Sequence, residues 1–175
     1  MHVSKRTALG AAAIAVVAFS LPALADHGPT TKTSGGTQTQ HCTGPNNDDN
    51  TVALTGPEVL WPPNHQFVDE SATATDANGG TVSLTITPSV TDIAGGDGGT
   101  QHDPDFAFGP NGPMASGTGT ATVPFQLRAE RSGKGDGRTY TIDWSAQFSD
   151  GTMCSSMDGT HQAFTVTVPH DMGNH

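Results

Sequence analysis

Basic residues are scarce in this chain of 175 residues, which has seven Lys and Arg against 17 Asp and Glu. The formal net charge of −10 repels the phosphates of a nucleic acid, and this argues against a DNA- or RNA-binding protein. Aromatic residues make up only 6% of the chain, too few to suggest a sugar-binding platform. The acidic composition is compatible with cation binding, or with solubility alone.

Long apolar runs are missing beyond the N-terminus. Residues 1–25 place two basic residues before an apolar run at 8–21, and they end in the small-residue pattern Ala-Leu-Ala. This order is typical of a cleaved signal peptide, and the run is shorter than the ~20 apolar residues that a membrane-spanning helix needs. We therefore expect a chain that is exported to the periplasm, the cell surface or the medium, begins at Asp26 and keeps no membrane span. Cleavage removes two bases and no acid, so the net charge becomes −12.

Cysteine is limited to Cys42 and Cys154, which are not in a C-x-x-C arrangement. In the oxidising compartment that export implies, a lone pair usually forms a disulfide, and we predict that bond here. It would close a loop over the 111 residues between them, and it would stabilise the fold by up to ~4 kcal/mol. A redox or metal-binding role for the cysteines is the alternative.

Helical periodicity is also missing, and strand patterns replace it. Residues 26–50 are rich in Gly, Thr, Asn and Asp, which predicts a flexible segment, and residues 172–175 form a polar tail. Residues 51–171 contain short strand patterns between turn signals; "TVSLTITPSV", for example, alternates apolar and hydroxyl side chains from residue 81. About seven such strands predict an all-β domain, an antiparallel immunoglobulin-like β-sandwich.

Four of the seven bases lie in "FQLRAERSGKGDGRTYTIDW" at 125–144. With 132–137 as a hairpin connection, Leu127 lies opposite Ile142, and three apolar pairs come into register on one face. The bases then occupy solvated edges and rims, with Arg128 diagonal to Asp143. We interpret the stretch as a core hairpin rather than as a basic ligand site.

Three blocks stand in order along the chain: "LWPPNH" at 60–65, "FQLRAERSGKGDGRTYTI" at 125–142 and "FTVTVPHD" at 164–171. On these blocks, the chain resembles a family of Ig-like domains found in bacterial secreted and cell-surface proteins. The resemblance implies a β-sandwich, an extracytoplasmic location, a binding or structural role and no established enzymatic activity. The chain departs from the family pattern in the loop before its last strand, which carries Met153, Cys154 and Met157 where related domains have a plain turn.

An acidic, glycine-rich stretch is a candidate Ca²⁺ site. It contains Asp92, Asp97, Asp103 and Asp105. Ca²⁺ takes six to eight oxygen ligands, and flexible Gly-rich loops let carboxylates converge. The spacing is not that of an EF-hand, and Asp and Gly are also ordinary turn residues. Both explanations stay open.

Histidine and cysteine suggest two further metal sites. His65 and His170 fall in the recurring blocks and suit a Zn²⁺ or Cu²⁺ pair, although a histidine bonded to backbone at a strand end is the simpler explanation. Cys154, His161 and a nearby Met suggest a blue-copper site, which needs two His, one Cys and an axial Met. A Cys154 bonded to Cys42 has no free thiolate for that role.

Catalytic motifs are not evident, since there is no G-x-S-x-G and no spacing that fixes a triad. We therefore expect a non-catalytic binding or structural module whose partner is an extracellular protein or glycan. The alternative is a small exported metal-binding or redox protein that uses His and Cys154.

Overall fold

The computed structural model describes residues 35–45, 47–93, 104–131 and 137–170, without the side chains of residues 92 and 93. The predicted signal peptide, residues 26–34 and the tail lie outside the described residues. The described part contains ten β-strands, and none of its residues forms a helix that could cross a membrane. The strands are β1 Gly35–Thr43, β2 Asp49–Pro57, β3 Phe67–Thr75, β4 Thr81–Ile93, β5 Phe106–Phe108, β6 Met114–Thr118, β7 Thr120–Arg128, β8 Gly137–Gln147, β9 Met153–Ser155 and β10 Phe164–Pro169.

The strands form two antiparallel five-stranded sheets. Sheet A has the order β1-β2-β3-β7-β5. Sheet B has the order β10-β8-β4-β6, and the short β9 also pairs with β8. The predicted all-β sandwich is therefore confirmed. The ten strands exceed the predicted seven because β1, β6 and β9 have few apolar residues and gave no clear alternation in the sequence.

The core lies between the two sheets and follows the period-2 rule. Val82, Leu84 and Ile86 of β4 are buried, as the alternation of "TVSLTITPSV" predicts. From β7 and β8, the residues Phe125, Leu127, Ile142 and Trp144 point into the same core. The hydrophobic effect thus fixes which face of each strand turns inward.

The predicted hairpin between β7 and β8 is wrong. β7 pairs with β3 and β5 in sheet A, whereas β8 pairs with β4, β9 and β10 in sheet B. The apolar residues of the two strands therefore belong to opposite walls of the core. Alternation gives the inward face of each strand in either arrangement, so it does not distinguish a hairpin from a pair of strands in facing sheets.

The predicted exposure of the basic residues is wrong for Arg138, which is 1% exposed. Its guanidinium donates to the Asp105 carboxylate at 2.5 Å. Arg128 does not meet Asp143; it donates to the carbonyl oxygens of Pro104 and His65 and covers the ring of Phe67. These bases hold segments of the fold together, so their clustering in the sequence is structural.

The prediction of a flexible segment at 26–50 is wrong for residues 35–43, which form β1, and for residues 49–50, which begin β2. β1 has one fully buried side chain, Cys42, and it is held by a nine-residue antiparallel ladder with β2. Composition missed β1 because backbone hydrogen bonds, not apolar side chains, attach it. The loop predicted before the last strand, which carries Met153, Cys154 and Met157, likewise contains β9.

The free edge of β10 is covered. At Thr165 the amide N–H donates to Gln38 Oε1 (3.2 Å), and Gln38 Nε2 donates to the Thr165 carbonyl oxygen (2.8 Å). At Thr167 the partners are backbone groups, the Glu58 carbonyl and the Leu60 N–H. A side chain of sheet A and the β2–β3 connection thus complete the edge strand of sheet B, which blocks strand addition there.

Candidate metal centre

Two cysteines from different sheets meet at one side of the sandwich. Cys42 is the inward-facing residue near the end of β1 in sheet A, and Cys154 is the buried centre of β9 in sheet B. Cys42 is paired with Asn50 and Cys154 with Ala146, so each thiol is held by a strand ladder. Both cysteines are free thiols. The predicted proximity is confirmed, and the predicted disulfide bond is not formed in this structure.

His161 completes the group. One ring nitrogen of His161 and the Sγ atoms of Cys42 and Cys154 all lie within 4.8 Å of one another. We call these three residues the thiol–imidazole cluster. The His161 ring packs edge-on against Trp144, with 5.6 Å between ring centroids. The indole N–H of Trp144 donates to the Gln162 carbonyl. The imidazole therefore packs against a side chain that is itself held in place.

Asp158 orients the imidazole. Its Oδ2 lies 2.7 Å from His161 Nδ1, and its Oδ1 accepts the backbone N–H groups of Thr160 and His161. These backbone hydrogen bonds from His161 and Thr160 hold the pKa of Asp158 well below its usual range. A carboxylate that stays ionised and binds Nδ1 fixes the ring, and Nε2, 3.0 Å from the His41 carbonyl oxygen, faces β1.

The two thiols are protonated in the absence of a cation. Burial raises the pKa of Cys42, and the hydrogen bond that its thiol donates to Cys154 raises it further. Burial also raises the pKa of Cys154. A buried thiol of this kind is a weak nucleophile, because the thiolate is the reactive species. The thiolate is also the form that binds a metal, so an ion that binds the two sulfur atoms must displace both protons.

The cluster borders a surface depression of about 420 Å³. Cys154 and Asp158 line it together with the hydroxyl residues Ser83, Thr85 and Ser145. Met153, 74% exposed, stands at the same depression, and Met157, 75% exposed, stands beside Asp158 in the sequence. Of the two cysteines, Cys154 is the one that lines the depression, and Cys42 is fully buried.

The predicted Ca²⁺ ligands are only partly described. Asp97 and Asp103 and the side chain of Asp92 lie outside the described residues. Asp105 is placed, and its carboxylate binds the buried guanidinium of Arg138. Any Ca²⁺ bound there would share Asp105 with a cation already in contact, so the Ca²⁺ site stays a prediction.

The two other predicted metal sites are the His65–His170 pair and the blue-copper site around Cys154. Within the described residues, neither His65 nor His170 joins a group of three or more convergent metal-binding side chains. His65 lies 3.7 Å from Glu130 Oε2. A blue-copper site would need two His and one Cys, Cys154. The structure instead brings one His and two Cys together. The sequence predicted a Cys42–Cys154 bond and, separately, a metal site with Cys154 and His161. It did not identify Asp158 as the partner of the His161 ring.

Comparisons with protein-family models, with curated proteins and with solved structures find no match to this chain. The residues and their geometry are therefore the basis for the function proposed below.

Proposed function

We propose that this protein is an exported, non-catalytic module with a binding or structural role at the cell surface or in the extracellular space. Its partner is an extracellular protein or a glycan. The sequence blocks at 60–65, 125–142 and 164–171 support the proposal by their resemblance to Ig-like domains of secreted bacterial proteins. A leader typical of export supports the location.

The observation that carries the proposal is the β-sandwich itself, with one of its edge strands covered. The core is continuous between two sheets, and the outer edge of β10 is completed by Gln38 and by residues 58–60. A carboxylate such as Asp76 makes structural contacts. It accepts hydrogen bonds from the backbone N–H and the hydroxyl of Ser149. A rigid scaffold whose loops carry recognition is the usual design of such modules.

A co-sedimentation experiment tests this role. The mature protein, starting at Asp26, is mixed with the envelope of the producing cells, with extracellular proteins and with a glycan array. The matched control is Leu127→Asp, which places a charge at a fully buried position and should unfold the sandwich. We expect binding by the folded protein alone. Turnover in a hydrolase screen, or binding by neither protein, would contradict the proposal.

A second candidate is a small exported metal-binding or redox protein that uses His and Cys154. The thiol–imidazole cluster favours it, because one histidine and both cysteines converge there. In its oxidised form, we propose, the pair Cys42–Cys154 closes into the disulfide that the sequence predicts. The mass of the oxidised protein should then be two hydrogens lower than that of the reduced protein.

Calcium binding remains part of the proposal for the acidic stretch at 92–105. If Ca²⁺ orders this stretch, millimolar Ca²⁺ added after chelator treatment should raise the melting temperature. Asp105→Asn, which weakens the contact with Arg138 as well, should lower the melting temperature without Ca²⁺ and reduce the Ca²⁺ response. Equal melting temperatures with and without Ca²⁺ would rule out a stabilising site.

A further inference from the structure

The thiol–imidazole cluster has the donor chemistry of a zinc site. We propose that, in the dithiol form, Cys42, Cys154 and His161 bind one Zn²⁺ ion, an inference that rests on the second candidate function above and names its metal. Thiolate sulfur and imidazole nitrogen are ligands that Zn²⁺ prefers in proteins. With bonds of about 2.3 Å to sulfur and 2.0–2.1 Å to nitrogen, ligand atoms around one Zn²⁺ lie roughly 3.5–3.8 Å apart. The donor atoms here are already within 4.8 Å of one another, so small side-chain movements suffice.

The surroundings of His161 are those of a metal ligand. A metal-binding histidine almost always donates its second ring N–H to a carboxylate or a carbonyl, which fixes the tautomer. Nδ1 of His161 has such a partner in Asp158 at 2.7 Å. Nε2 then becomes the ligand atom, and it exchanges its contact with the His41 carbonyl for a bond to the ion. His41 precedes Cys42 in β1, and one ring nitrogen of His161 lies within 4.8 Å of the Cys42 Sγ.

The charge balance favours a divalent ion. Both thiols are buried, and the carboxylate of Asp158 lies 2.7 Å from Nδ1 of the imidazole. On binding, the two S–H bonds break and two Zn–S bonds form, and Nε2 exchanges the proton that faces the His41 carbonyl for a Zn–N bond. The displaced protons leave to solvent. Zn²⁺ neutralises both thiolates, whereas Cu⁺ leaves one net negative charge in a buried site beside Asp158. Soft ligands accept either ion, so this electrostatic difference selects Zn²⁺.

The fourth coordination position is open. Among the residues that the structure describes, no further His, Cys, Asp or Glu converges on the three donors. Zn²⁺ prefers four ligands, and sites with three protein ligands take a water molecule as the fourth. Cys154 lines the depression of about 420 Å³, so in the proposed site the water ligand comes from that side.

Binding of Zn²⁺ to the reduced mature protein tests the proposal. Isothermal titration calorimetry should give one ion per chain, and titrations in buffers of different ionisation enthalpy should show release of the two thiol protons and of the Nε2 proton. Co²⁺ in place of Zn²⁺ should show a sulfur-to-metal charge-transfer band and the strong visible bands of tetrahedral coordination. These readouts do not depend on any extracellular partner, so they can fail or succeed independently of the co-sedimentation experiment.

Variants separate ligands from neighbours. Cys42→Ser, Cys154→Ser and His161→Gln should each weaken Zn²⁺ binding by more than about 100-fold, and Asp158→Asn by about 10–100-fold, as for other groups that orient ligands. The matched control is His41→Gln, because His41 is exposed and its ring binds Asp49. Circular dichroism and melting temperature confirm that each variant is folded before its affinity is compared.

Thiol oxidation gives an independent readout. Oxidised glutathione converts the two free thiols to a disulfide. The thiols lose two electrons and two protons, and these reduce the oxidised glutathione to two molecules of glutathione. Bound Zn²⁺ should slow this reaction in wild type, and less so in Asp158→Asn. A reduced, folded protein that binds no Zn²⁺, releases no protons or binds equally well as His161→Gln would overturn the proposal.

Discussion

Glu70 is a carboxyl group in a hydrophobic wall. It lies on the inward face of β3 with Ala72 and Ala74, is 4% exposed, and is paired across the ladder with Phe125. Neither carboxylate oxygen has a hydrogen-bond partner among the residues that the structure describes. Burial, and secondarily the charge of Asp69, raises the pKa of Glu70 from 4.5 to about 8. The side chain is therefore protonated at neutral pH.

The folded protein should lose stability as the pH rises between about 4.5 and 8, because the unfolded chain releases the Glu70 proton first. The contribution of Glu70 to stability is full below pH 4.5 and is lost above pH 8. Glu70→Gln removes this dependence, so it should gain about 3–5 kcal/mol over wild type at pH 9 and little at pH 4. Urea unfolding at the two pH values measures the difference; a parallel pH dependence in both proteins would contradict it.

At the scale of the strand, the sequence predicts which face of a strand is buried better than it predicts which strands pair. The alternation in "TVSLTITPSV" and in residues 125–148 identifies the buried residues, because burial follows from the side chain and the pleat. Which strand lies beside which depends on contacts across the whole chain, and the pairing of β7 with β3 left no local signal. β1 was missed for a related reason, since "GGTQTQHCT" contains only one apolar side chain that becomes buried.

Gln38 is expected to protect the edge of β10. Gln38→Ala removes two hydrogen bonds to the backbone of Thr165, at 2.8 and 3.2 Å, and leaves that edge open. Each such bond is worth about 1 kcal/mol, so stability should fall by about 1–2 kcal/mol. Hydrogen exchange of the Thr165 amide should become faster. Thr39→Ala, at an exposed position of the same strand, is the control; equal exchange rates in both variants would show that Gln38 does not cover the edge.

For the whole molecule, the candidate site required more than the sequence provides. The sequence predicted that Cys42 and Cys154 pair, and the structure places them together. It did not predict that His161 joins both, because the position of His161 depends on the turn at Asp158 and on the wall formed by Trp144. Residue types reveal possible ligands, while their convergence is a property of the assembled sandwich.

Oxidation of Cys42 and Cys154 should stabilise the entire fold. A bond between β1 and β9 closes the 111 residues between them and lowers the entropy of the unfolded chain, which corresponds to at most about 4–5 kcal/mol. The oxidised protein should therefore unfold at higher urea concentration than the reduced protein. Cys42→Ser/Cys154→Ser should show the reduced behaviour under both conditions. A disulfide that forms but leaves the midpoint unchanged would indicate strain in the native state.

The long ladder between β4 and β8 has a consequence for biogenesis. Its register joins Ser83 to Gln147 and Ile93 to Gly137, so the centre of sheet B is made of segments far apart in the chain. Closing such a loop is entropically costly and slow. While the polypeptide is still being synthesised, its first half has no complete second sheet on which to fold. We expect the chain to stay unfolded until β8 and β10 have been made.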